Sequence, residues 1–135
     1  MSEICVFDTS VLINYMRTQR HGDLAYRVKA LIRNSSVVLA ELWRGASSKT
    51  DREGVKRLED SFPIFTPTEN HWIESGQILA RMQTDHGFEP KKLRDLHFDV
   101  LIALTARVHG ARLITSNRAD FELIREYRDF ELEVW

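Results

Sequence analysis

The sequence predicts an α/β fold, with a short, mostly parallel sheet of about five strands and helices on both faces. Three observations carry that prediction. Short apolar runs alternate repeatedly with helix-compatible segments. The first of them, Ile4-Cys5-Val6-Phe7, is apolar without a break and too short for a helix, as a buried strand should be. Asp8, Glu41, Asp99 and Asp120 each stand where a strand-like run gives way to a helix-like one, or just inside that helix, and strand ends are where open α/β sheets build their sites. Parallel strands need long crossovers, which helices supply.

In chain order, residues 3 to 7 read as the first strand, and Asp8-Thr9-Ser10 offers capping chemistry to a helix through Val11-Leu12-Ile13-Asn14-Tyr15-Met16. His21-Gly22-Asp23 breaks that pattern. Leu24, Val28 and Leu31 recur at helical spacing, with a short second strand possible near Leu31-Ile32-Arg33. Ser35 or Ser36 caps the next helix, Val37 to Arg44, although its paired valines also allow a strand start. Asp51 to Asp60 reads as a solvated helix with an apolar stripe at Val55, Leu58 and Phe62.

Only a short strand fits between Pro63 and Pro67, and Thr68-Glu69-Asn70 caps a long helix that runs through Met82 and stops at His86-Gly87. Leu96 to Ala106 forms a further helix with Asp99 near its start, closed by His109-Gly110 in a left-handed cap. Residues 111–115 make a strand, Ser116 to Phe121 a loop entering a helix, and Phe130 to Trp135 an alternating edge strand.

At 135 residues, 43% hydrophobic and 29% charged, residues 1–135 fit one globular domain that buries roughly two-thirds of its unfolded surface. A formal charge of −1 shows no global basic bias, so a nucleic-acid surface must come from local clustering of the 19 Lys and Arg residues. The lone Cys5 lies inside the first apolar run and reads as a buried small hydrophobe. No basic leader or apolar stretch near 18 residues is present, which predicts a cytoplasmic protein with no membrane partner.

Carboxylates that converge cannot all stay ionised without a counter-charge, and a divalent cation is the usual solution. The ordered blocks Val-Phe-Asp-Thr-Ser-Val-Leu-Ile, Leu-Ala-Glu-Leu-Trp-Arg-Gly, His-Phe-Asp-Val-Leu-Ile-Ala-Leu-Thr-Ala and Leu-Ile-Thr-Ser-Asn-Arg-Ala-Asp-Phe, from Val6 to Phe121, resemble those of PIN-domain ribonucleases. More narrowly, the pattern is similar to VapC-type toxins of toxin–antitoxin pairs. The resemblance implies a PIN-like three-layer sandwich whose acidic cluster is Asp8, Glu41, Asp99 and Asp120, supported by Thr9, Ser10, Thr115 and Asn117. It also implies Mg²⁺ or Mn²⁺, an RNA substrate, a cognate antitoxin and a homodimer.

Within that resemblance, Asp8 and Asp99 would hold the principal metal, Asp120 would complete a second site, and Glu41 would orient or deprotonate the attacking water. Because Mg²⁺ keeps several waters and takes only one or two carboxylates directly, some of these acids should act through water. Each acid has an ordinary role when taken alone: Asp8 as a helix cap, Glu41 and Asp99 as solvated charges, Asp120 as a first-turn acid. As an ordered set in apolar contexts they point to a site. Asp95 is a rival to Asp99, and His97 reads as structural rather than catalytic; His21, His71, His86 and His109 show no metal-ligand spacing.

Basic residues cluster at Arg17, Arg20, Arg27, Lys29 and Arg33 and again at Lys91, Lys92 and Arg94. A solvated helix face is their commoner explanation, but Arg17, Arg44, Lys91 and Lys92 are the candidate RNA-binding residues, since something must offset repulsion between phosphate and the acids. Tyr15 and Trp43 are candidates for base stacking or for the core. The expected activity is thus a metal-dependent endoribonuclease. A housekeeping RNA-processing nuclease without an antitoxin, or a PIN-like module that binds without cutting, are the alternatives. A receiver-type phosphoryl site has little support, because Thr9-Ser10 rather than a partner aspartate follows Asp8.

Overall fold

The computed structural model describes residues 3–18, 24 and 27–135. The expected break at His21-Gly22-Asp23, and Arg20 of the basic cluster, lie outside the described residues. The elements run β1 (Ile4–Phe7), α1 (Thr9–Thr18), β2 (Leu31–Ser35), α2 (Ser36–Gly45), α3 (Lys49–Ser61), β3 (Ile64–Phe65), α4 (Glu69–His86), α5 (Pro90–Val108), β4 (Arg112–Thr115), α6 (Arg118–Tyr127) and β5 (Leu132–Val134). Leu31 therefore belongs to a strand rather than to the preceding helical pattern, and that strand extends through Asn34 and Ser35.

The sheet order is β3-β2-β1-β4-β5. Every neighbouring pair is parallel, so the expected mostly parallel sheet is wholly parallel among the described residues. Val6 stands opposite Arg33 on one side and Leu113 on the other. From β1 the chain builds outward through β2 to β3, and then returns by α4 and α5 to place β4 on the other side of β1. That reversal opens a crevice outside the carboxyl ends of β1 and β4.

Cys5, Val6 and Phe7 of β1, and all four residues of β4, are buried. Side chains alternate across a strand, so burial of successive residues requires cover on both faces. Burial also pushes the Cys5 thiol up to about 11, which keeps it protonated at neutral pH. The most deeply embedded helix is α5, where Val100 to Ala106 are buried in succession. Buried Arg112 ties the sheet edge in place, with its Nε 3.5 Å from Glu133 and its Nη2 donating to the Val28 carbonyl at 3.3 Å. Among the described residues, no helix is long and apolar enough to cross a membrane.

Local chemistry sets the helix ends. Ser35 caps α2, with its Oγ accepting from Val38 N, so the valine pair is helical. Ser48 and Asp51 form a capping box on α3, and Thr68 does the same on α4 with the His71 ring as reciprocal acceptor. Gly87, at φ 64°, supplies the left-handed residue that ends α4. Gly110 also has φ 64°, one residue beyond the His109 cap of α5.

One expectation is corrected. Asp99 is not near a helix start but in the middle of α5, because Pro90 sits at its first position and no breaker follows. Proline there loses no hydrogen bond and arrives with its φ already helical.

Asn34 closes the end of α3. Its Nδ2 donates to the Leu58 and Phe62 carbonyls at 2.8 and 3.2 Å, groups that the helix terminus leaves unpaired. Asn34→Ala should cost about 1–3 kcal/mol in urea unfolding, the penalty of buried acceptors left without a donor. A loss below about 0.5 kcal/mol, the range of ordinary surface changes, would show that the contact does not hold α3 to the sheet.

Candidate active site

Asp8 is the first residue beyond β1, and its N–H donates to the Ile114 carbonyl at 2.8 Å, extending the β1–β4 ladder by one bond. Its own carbonyl accepts from Val11 and Leu12 at the start of α1, whereas its carboxylate turns to side chains. Ser10 Oγ and Thr115 Oγ1 both donate to Asp8 Oδ2, at 3.0 and 2.8 Å. Asp8 is thus positioned at a helix start without using its carboxylate as a cap.

The hydroxyls are themselves held by backbone. Ser116 N donates to Ser10 Oγ at 3.2 Å, and Asn117 N to Thr115 Oγ1 at 2.9 Å. Asn117 caps α6, its Oδ1 accepting from Asp120 N at 3.3 Å while its Nδ2 donates to Asp120 Oδ2 at 3.0 Å. On the opposite flank, Thr9 Oγ1 donates to Glu41 Oε1 at 2.9 Å and so joins α1 to α2. Thr9, Ser10, Thr115 and Asn117 therefore each contact one of the acids directly.

Electrostatics shows which carboxylates face a common space. The Asp99 carboxyl is pushed up to about 8 by burial first, then by Asp8, Glu41 and Asp120, against the opposing pull of Lys92. Burial also raises Glu41, with the Thr9 hydrogen bond opposing, the Asp8 charge adding to the rise and Arg44 countering it. At Asp120 burial acts upward, but the hydrogen bonds from Lys92 and Asn117 hold the carboxyl below its ordinary value. Asp95 adds the smallest contribution to the rise of Glu41 but is itself exposed and paired with Lys91 at 3.1 Å. His97 turns to Ser75 Oγ at 2.9 Å.

The donor set suits a hard cation. Among the described residues, no three His, Cys, Asp or Glu side chains are gathered into a ready-made cage. A hydrated Mg²⁺ does not need one, since it binds one or two carboxylates directly and reaches others through water. Partly buried oxygens that raise a neighbouring carboxyl are the arrangement that such an ion relieves.

The basic residues divide. Lys92 Nζ lies 2.7 Å from Asp120 Oδ1, so a candidate RNA-binding residue is also the ion partner of a site acid. Twenty-eight residues separate the two, and no sequence spacing signals that pair. Arg17 is exposed on α1, and Arg44 is exposed one turn beyond Glu41, its guanidinium 5.9 Å from the Phe98 ring. Arg27 stacks over Trp135 at 3.8 Å. Tyr15 is buried with its hydroxyl accepting from Leu24 N, and Trp43 donates to Glu59, so neither ring faces the acids as a free platform.

A sequence model of the family described as PIN domain matches residues 5–127. Comparison with curated proteins gives no match. Among solved structures, the chain is similar to VapBC2 from Rickettsia felis bound to a DNA fragment from their promoter, with TM-score 0.71 and 22% identity over 98% of both chains. It is similar to DNA-bound VapBC from Salmonella typhimurium, with TM-score 0.69 and 22% identity over 100% of this chain and 99% of that one. VapBC-5 from Mycobacterium tuberculosis, a member of the VapBC family of toxin–antitoxin systems, gives 0.62 and 19% over 99% and 100%. At these identities the likeness concerns the fold.

The raised Asp99 carboxyl has a measurable consequence. Between about pH 4 and about pH 8 the folded protein retains a proton that the unfolded chain has released, so metal-free stability should fall as pH rises through that window. Asp99→Asn should flatten the slope and, in chelator at pH 8, raise Tm by about 4 °C or more, the shift that about 1 kcal/mol gives in a domain of this size. Thermal melts whose pH dependence is the same in variant and wild type would show that Asp99 does not share its space with the other acids.

Proposed function

Because this chain belongs to the PIN-domain family, we propose that it is a Mg²⁺- or Mn²⁺-dependent endoribonuclease, the toxin of a VapBC-type pair, acting on RNA in the cytoplasm as a homodimer restrained by an antitoxin. The observation that carries the proposal is the half-buried Asp99 carboxyl, raised by desolvation and then by Asp8, Glu41 and Asp120, at the carboxyl end of a parallel sheet where Thr115 and Ser10 hold Asp8. The VapBC complexes that share the fold along nearly the whole chain support the toxin and antitoxin part of the reading.

Asp8 and Asp99 would hold the principal metal, with Asp120 completing a second, weaker site once Lys92 yields its oxygen. A bound divalent ion supplies an acidified water and charge stabilisation for phosphodiester hydrolysis. Thr115 and Ser10 fix Asp8 through Oδ2, which leaves Oδ1 without a side-chain donor among the described residues. Glu41, steadied by Thr9 through Oε1 and raised by burial, is suited to orient a water and take its proton. Lys92 and then Asn117 hold the Asp120 carboxyl down, and Asn117 aims it through Oδ2.

The purified protein should cut RNA with Mg²⁺ and stop on addition of EDTA. Asp8→Asn and Asp99→Asn should each lower the rate about 100-fold or more, beyond the 10- to 100-fold typical of losing a group that merely supports a metal ligand. Wild-type rates in both variants, with folding checked by circular dichroism, would remove the metal-site assignment. Growth arrest on expression, reversed by the product of a neighbouring reading frame, tests the toxin reading separately.

A further inference from the structure

Beside the acids lies a second cleft, of about 320 Å³, whose lining includes Glu41, Arg44, Trp72, Phe98, Val37 and Pro67. Its volume sits at the lower end of the roughly 300–1,000 Å³ range of small-molecule sites. Val37 is the second residue of α2, directly after β2, and Pro67 follows β3. The cleft therefore opens at the same carboxyl edge of the sheet as the acidic site, and Glu41 belongs to both.

Its walls are unusual for a surface. Trp72 is 51% exposed and Phe98 38% exposed, two large aromatic rings with much of their area in water. Trp72 is held in orientation: its ring meets His97 edge-on, at 5.8 Å and 78°, and His97 is fixed by Ser75 Oγ. Arg44 lies near Phe98 with no carboxylate within ion-pair distance among the described residues, so its charge is available to a ligand.

We propose that this cleft is a nucleobase subsite, in which one base of the RNA strand stacks on Trp72 and Phe98 while Arg44 binds the adjoining phosphate. Aromatic faces accept any base, and an arginine placed beside them reads the backbone. Occupancy of the cleft then sets which phosphodiester reaches Glu41 and Asp99, so these residues govern where the strand is cut. A volume of about 320 Å³ with Glu41 and Arg44 in its lining suits a single base. The proposal rests on the ribonuclease reading.

The test is a comparison of cleavage of a mixed-sequence RNA by wild type, Trp72→Ala, Trp72→Phe, Phe98→Ala and Arg44→Ala. The alanine variants at the two rings should raise KM about 5- to 150-fold, the span of losing one stacked base, with a smaller effect on kcat. Cut-site preference should change with them, and Trp72→Phe should restore most of both. Arg44→Ala should reduce the salt dependence of KM by about one charge.

Unchanged KM and cut sites in Trp72→Ala and Phe98→Ala would overturn the subsite while leaving the ribonuclease reading intact. If wild type cuts no RNA, that reading fails, and the subsite is judged by binding a mixed-sequence oligoribonucleotide. Quenching of tryptophan fluorescence that Trp72→Ala removes supports it, and no quenching overturns it. Loss of a protein partner or of self-association in Trp72→Ala, with RNA parameters unchanged, would identify the patch as a protein interface and also overturn it.

Discussion

Mutual repulsion among Asp8, Glu41, Asp99 and Asp120 is the constraint around which the rest of this structure is organised. Val100 to Ala106 draw α5 into the interior and carry Asp99 with it, so its half-buried carboxyl feels the charges of three other acids. Like charges held this near one another and partly out of water cost free energy while all are ionised. The compensations are visible on each flank: hydroxyl donors on Asp8, the Thr9 hydrogen bond on Glu41, and an ammonium and an amide on Asp120.

The parallel sheet makes this cluster possible. Strand ends point the same way only when the crossovers are long, and here the helices carry the chain back each time. β1 and β4, adjacent in the sheet but more than a hundred residues apart in sequence, bring Asp8 within 2.8 Å of Thr115. Apolar burial on both faces of these strands supplies rigidity, and the polar frame is then laid along one edge. The same edge continues past Glu41 to the aromatic cleft, so the acidic site and the cleft share one carboxylate.

Much of this was legible in the chain. Unbroken apolar runs identified β1 and β4, capping residues placed the starts of α2 and α4, and the motif around Thr115, Asn117 and Asp120 marked a polar turn that the structure folds onto Asp8. Other features were not legible. Lys92 read as a surface cation because nothing local reveals a partner 28 residues away. Asp99 was expected near a helix start because the polar segment from Lys91 to Asp95 hid the first turns of α5, which begin at Pro90. Trp72 and Phe98 looked like ordinary helix residues, since exposure is a property of neighbouring elements and not of the residue itself.

By itself the sequence determined which residue types stand at strand ends, which helices are capped, and that the acids are oxygen donors suited to a hard cation. Those properties are local, set by side-chain chemistry and by spacing along the backbone. Tertiary structure alone decided that Asp8, Glu41 and Asp120 come near enough to Asp99 to raise its carboxyl, that Lys92 pairs with Asp120, and that a cleft opens beside Glu41. Distances, burial and charge coupling arise only when segments remote in sequence are packed together, because each depends on what the rest of the chain excludes from water.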